Sequence, residues 1–241
     1  MRVRPALLWA AAVAVAAAGA AGCGVGPLVS GSGDVVQTSP GIGAFSELSV
    51  GSAFEVNVSV GDSPSLVLRA DDNLVDRIEA VVDDDELSIT LDATVRDATL
   101  EADLTVPASM ISSIDLRGAS TLTATEPLTA PTVTLQASGA SRAFVVVRTD
   151  DMVATASGAS VVNATGSTGA LQAEASGAST LRLDQLEAGS AQVSADGASR
   201  AEVSVSGDLR AQAAGASTVR YVGDPDSVER EVSGASTVEP G

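Results

Sequence analysis

The side chains that most often move protons or attack substrates are nearly missing from this chain. It has no histidine and no lysine, and its one cysteine is Cys23. Acid–base work would fall to Asp, Glu, Arg and Tyr221, and hydrolysis of a sugar polymer would need two carboxylates flanking one bond. Asp150, Asp151 and Asp184 sit in short connections with no long insertion to build a cleft, so they read as turn residues. A polysaccharide lyase or hydrolase is therefore the weaker functional class. A non-enzymatic adhesion, binding or structural module is the stronger one. An envelope-stress sensor working through protein partners is a third. No cofactor is implied.

Carboxylates are the one abundant ligand type. Residues 71–103 hold 12 acids and two arginines, with Asp83, Asp84 and Asp85 consecutive. Calcium takes six to eight oxygens and such clusters can supply them. Neither an EF-hand loop nor a glycine-rich calcium nonapeptide is present. The stretch reads first as solvated turns, with Asp83, Asp84 and Asp85 as weak metal candidates. The whole chain has 31 acidic and 13 basic residues, a net charge of −18. A polyanion repels nucleic acid and anionic surfaces, which excludes nucleic acid as a partner and leaves cell-wall glycans or envelope proteins.

Cys23 carries the most specific chemistry. Arg2 and Arg4 precede an uncharged, alanine-rich run from Pro5 to Ala21, and small residues lead up to the cysteine. This is the pattern of a secretory signal, and the run is short for a permanent membrane span. Ala20-Ala21-Gly22-Cys23 resembles the lipobox of bacterial lipoproteins, with Ala20 where leucine is commoner. That resemblance implies a signal peptide over 1–22, lipid on Cys23, and a site on the extracytoplasmic side of the cell membrane. Residues 23–43, rich in Gly, Ser and Pro, read as a flexible tether.

The elements that follow are strands. In segment 44–116, Phe54, Val56, Val58 and Val60 alternate with polar residues, as do Leu87, Ile89 and Leu91. Leu74 to Val81 reads as one short helix. From 117 to 241 a tripeptide recurs. Gly-Ala-Ser begins at Gly118, Gly139, Gly158, Gly177, Gly197, Gly215 and Gly234, at intervals of 21, 19, 19, 20, 18 and 19 residues. Aligned on the glycine, the positions two, four and six before it, and four and six after it, are mostly Ala, Val, Leu or Ile. That describes a strand, a corner and a second strand, repeated about every 19 residues.

The sequence therefore predicts an all-β chain, a right-handed parallel β-helix of about seven rungs preceded by a β-rich segment. With 2% aromatics, its core should be thin. The glycine should supply a corner with positive φ. The alanine should fill a cramped interior corner, and the serine should either form a hydroxyl ladder or face water. Thr-x-Thr, the mark of ice-binding solenoids, occurs in register only at Thr121-Leu122-Thr123.

Phe45-Ser46-Glu47-Leu48-Ser49-Val50, Ser52-Ala53-Phe54-Glu55-Val56, Gly61-Asp62, Ala70-Asp71-Asp72-Asn73-Leu74, Asp85-Glu86-Leu87-Ser88-Ile89, Leu104-Thr105-Val106-Pro107 and the Gly-Ala-Ser series follow one another over about 44–238. This order resembles the autotransporter adhesins with a head-GIN domain. The resemblance implies a right-handed β-helix in the bacterial cell envelope. It brings no active-site residues.

Overall fold

The structure is a computed structural model describing residues 28–241. The expected signal peptide and Cys23 lie outside the described residues. Among the described residues no helix is long and apolar enough to cross a membrane.

The N-terminal part builds the closed end of a parallel β-solenoid. It comprises β1 (Leu28–Ser30), β2 (Val35–Thr38), β3 (Glu47–Val50), β4 (Glu55–Val60), β5 (Ser65–Asp71), β6 (Ile78–Asp83), β7 (Glu86–Leu91), β8 (Thr94–Arg96) and β9 (Leu100–Val106). The strands β3 and β4 form a rung of their own, stacked in parallel on β7 and β9. Three further strands pair antiparallel: β5 with β9, β2 with β5, and β6 with β7. The expected helix over Leu74 to Val81 is one 3-10 turn, Val75–Arg77, followed by β6. Ile78, Ala80 and Val82 alternate with exposed residues and β7 offers a hairpin partner, so ladder pairing wins over helical spacing.

The repeats continue the stack through β10 (Ser113–Leu116), β11 (Thr121–Leu128), β12 (Thr132–Ala137), β13 (Arg142–Ala156), β14 (Val161–Ala175), β15 (Thr180–Ala195), β16 (Arg200–Val205), β17 (Asp208–Ala213), β18 (Thr218–Val222), β19 (Ser227–Val232) and β20 (Thr237–Pro240). All pair in parallel, with Ser113–Leu116 on Glu47–Val50 and Thr121–Ala124 on Glu55–Val58 at the junction. The segment before the repeats is therefore the base of the same solenoid. Six rung spacings of ~4.8 Å give a repeat stack about 30 Å tall. The two principal faces are the strands before the glycine and the strands after it.

The inward columns are those the periodicity predicts. Leu122, Ala143, Val162, Leu181, Ala201 and Val219 are all sealed from solvent. The two buried phenylalanines, Phe45 and Phe54, lie in the first rung; later rungs pack mainly Ala and Val, with leucines such as Leu135, Leu181, Leu183 and Leu209 among them.

The Gly-Ala-Ser corner differs from expectation in one respect. Its glycines have φ between 73° and 77°. The alanines Ala119, Ala140, Ala159, Ala178, Ala198, Ala216 and Ala235 are exposed, and the serines after them are buried. Each serine finds an acceptor on the backbone. Ser120, Ser141 and Ser160 donate to the carbonyl three residues back, at 2.6–2.8 Å. Ser179 and Ser199 donate to Ala156 and Ala175 one rung below, at 2.9 and 3.1 Å, and Ser217 and Ser236 do both. A hydroxyl that satisfies itself in this way can be buried at little cost. In the base rung, register places Phe54 where the repeats have serine.

Residues 28–38, expected as part of a tether, instead pair and dock. Three parallel pairs join β1 to β8, and β2 lies on β5. Asp71, 1% exposed, accepts from the Gly33 and Thr99 amides at 2.7 Å each. Ser32 donates to Asp72 at 2.6 Å and Asn73 donates to the Ser30 carbonyl at 2.9 Å. These partners lie about forty residues away in sequence, out of reach of a local reading.

Candidate functional site

The sequence candidates do not converge. Asp83 ends β6, and Asp84 and Asp85, with φ of 43° and 73°, make the two-residue hairpin turn into β7. This is the backbone of a primed turn, which Asp tolerates. The Asp85 carboxylate accepts from the Ser46 hydroxyl at 2.6 Å. The three acids thus serve a turn, and among the described residues no group of three or more possible ligands is placed to hold a metal. Tyr221 is buried beneath Arg230, whose guanidinium carbon is 5.3 Å from the ring centroid. The repeat glycines form one vertical file: a Cβ on Gly139, Gly158, Gly177, Gly197, Gly215 or Gly234 would lie 2.5–2.9 Å from the glycine carbonyl of the rung below. They are structural.

What remains is the solvated outside. The face after the glycine carries Phe144, 38% exposed, in a row with Thr123 and Asn163. Toward the C-terminal end that row becomes Arg182, Glu202, Arg220 and Glu239, with Arg220 and Glu239 paired at 2.9 Å. The face before the glycine is largely uncharged in its middle rungs. It holds a groove of about 610 Å³ running across the strands, along the stack. Its floor is Ala170 and Ser190, neighbours in register. Gln172 and Gln192 lie beside them, also in register, and Asp151 and Asp208 stand at the two ends.

The periodicity located these columns, but short floor residues between longer neighbours carry no distinctive sequence signal. Asp151 is one of the acids to which acid–base work would fall. Its nearest carboxylate along this groove is Asp208, three rungs away, about 14 Å at the spacing of paired strands. Glycosidase pairs stand about 5–9.5 Å apart. The two carboxylates of this groove therefore do not have the spacing of a glycosidase pair.

A one-chain parallel β-solenoid with a capped N-terminal end and polar outer faces is the class that fold and surface define. Residues 44–225 match the family described as "Putative auto-transporter adhesin, head GIN domain", and the chain belongs to that family. Solved structures share the fold. One, described as a putative adhesin, from Bacteroides fragilis, has a TM-score of 0.83 at 16% identity, covering 88% of this chain and 100% of that one. A second, described as a putative lipid binding protein, from Parabacteroides distasonis, has 0.71 at 15%, covering 89% and 100%. A third, described as a putative adhesin, from Parabacteroides merdae, has 0.67 at 17%, covering 89% and 99%. No curated protein matches the chain.

Proposed function

We propose that this chain is a non-enzymatic binding module of the cell envelope, held on the extracytoplasmic side of the membrane by lipid on Cys23 and presenting its solenoid faces to a cell-wall glycan or an envelope protein. The observation that carries the reading is the continuous parallel stack from Ser113 to Pro240: strand follows strand, with register shifts only at Ala124/Pro127, Asn163/Gly166 and Leu183/Glu187, and no inserted loop encloses a cleft among the described residues. Long, rigid, repetitive faces suit extended ligands. Membership of an adhesin-named family and fold neighbours described as adhesins and as a lipid binding protein support binding over catalysis. The separation of Asp151 from Asp208 tells against the glycan-cleaving alternative.

Two measurements test the proposal. Photo-crosslinking from exposed positions of both faces, in the cells that make the protein, should capture the same wall component or envelope protein repeatedly; a protein that crosslinks to nothing refutes the binding reading. Metabolic labelling with a fatty-acid analogue should mark the wild type and not Cys23→Ala. Equal labelling of the two would remove the anchor.

A further inference from the structure

We propose that the groove on the face before the glycine binds a neutral, linear glycan laid along the solenoid axis. The inference rests on the binding-module reading and gives it a site and a ligand class.

The side chains of the groove argue for this ligand. Gln172 and Gln192 stack in register, are exposed, and have no side-chain partner among the described residues. Each amide offers both donors and acceptors, and so matches sugar hydroxyls, which also do both. The charged and amide groups one and two rungs further on are already engaged: Arg210 pairs with Glu229 and Glu231 at 3.5 and 3.1 Å, and Gln212 donates to Glu231 at 2.8 Å. The free hydrogen-bonding capacity is therefore concentrated over the floor. No aromatic ring lines the groove, so these hydrogen bonds must carry the recognition.

Shape and charge narrow the class. Ala170 and Ser190 are shorter than the column neighbours that flank them, Asp151 and Asp208, and they create the recess. Behind them the corner is bare backbone, because a Cβ on Gly189 would lie 2.7 Å from the Gly169 carbonyl and one on Gly169 would lie 2.8 Å from that of Asp150. A sugar ring can lie flat there. Asp151 and Asp208 are about 14 Å apart; Asp208 takes the Ser227 hydroxyl on one oxygen at 2.5 Å and keeps the other, so the pair can accept hydroxyls at both ends of an oligomer, and a single sugar would not reach both. The same carboxylates, in a chain of net charge −18, repel uronic, sulfated or phosphate-bearing polymers. A neutral chain remains.

The test uses detergent-solubilised full-length protein on an array of neutral hexaoses, namely cello-, chito- and manno-oligomers, beside polygalacturonate and heparin. Binding to at least one neutral oligomer is expected, weakened about tenfold or more by Gln172→Ala with Gln192→Ala. Ser190→Arg, which fills the recess without touching the core, should weaken it comparably. Phe144→Ala on the other face should leave it unchanged. Thermal unfolding confirms that each variant folds. Capture of no neutral glycan, preference for the polyanions, or binding indifferent to both groove variants overturns the proposal. If no glycan binds while crosslinking in cells still yields a protein partner, the groove assignment falls and the binding-module reading stands.

Discussion

The Ser179 hydroxyl donates to the Ala156 carbonyl on the rung below at 2.9 Å, while Ala178, its neighbour in the tripeptide, faces solvent. The corner is thus polar inside and apolar outside. Ser179→Ala should cost about 0.5–1.5 kcal/mol, since the carbonyl keeps the Ser176 amide as a donor. Ala178→Leu, which an interior alanine would not tolerate, should stay within about 0.5 kcal/mol of wild type. Denaturant midpoints measure both; a strongly destabilised leucine variant would reverse the assignment.

The glycine file makes a graded prediction. A Cβ on Gly118 would meet nothing closer than the Ser52 amide nitrogen at 3.4 Å, whereas one on Gly139 would sit 2.5 Å from the Gly118 carbonyl. Both have positive φ. Gly118→Ala should cost about 1–2 kcal/mol, the conformational penalty alone. Gly139→Ala adds a backbone clash and should cost clearly more. Equal losses would mean that close stacking does not set the requirement.

Asp71 fastens the N-terminal arm. Asp71→Ala frees the Gly33 and Thr99 amides. Amide hydrogen exchange should then accelerate at least tenfold over residues 28–38 and hardly change at β14. An arm that stays protected would show that β1 and β2 hold without the clasp.

Arg69 pairs with Asp103 and holds its carboxyl below the usual value of 3.8, chiefly through their hydrogen bond and against some desolvation. A lowered carboxylate pKa contributes stability above the unfolded value, and the contribution is lost as pH falls through the folded one. Both side chains are about 40% exposed, so solvent screening keeps the effect small. Wild type should lose more stability than Arg69→Met between pH 6 and pH 3. Parallel losses would leave the pair without a role.

At the C-terminal end, β19 and β20 are edge strands whose outward residues include Glu229, Glu231 and Glu239, with Arg230 over Tyr221 and Val232 half exposed. Charge on an edge discourages pairing with another chain. Replacing Glu229, Arg230 and Glu231 by Thr, Val and Thr should produce concentration-dependent association in light scattering. A variant that scatters as the wild type does would show that something else protects this edge.

Much of this architecture was legible because strand alternation is a strict period of two. The columns at even offsets from the glycine, from Ile114 and Leu116 to Leu122 and Ala124, could be placed inside by counting. The same count puts the serine inside, two positions after the glycine; its polarity suggested otherwise, and only the carbonyls beneath reveal why burial is tolerated. The docking of 28–38 was hidden because its partners at Asp71, Asp72 and Asn73 are distant in sequence. The expected helix over Leu74 to Val81 gave way to β6 because the hairpin with β7 is not visible locally. The groove is least legible of all, since Ala170 and Ser190 look ordinary until their longer neighbours stand around them.

The direct seating of one glycine on the carbonyl of the glycine below has an evolutionary corollary. Every storey meets its neighbours through the same backbone joint, so copying or excising one unit of about nineteen residues would alter the molecule's height and leave the remaining joints untouched. The height of the stack can therefore be tuned by gene duplication alone, in steps of one strand spacing, without redesign of any interior.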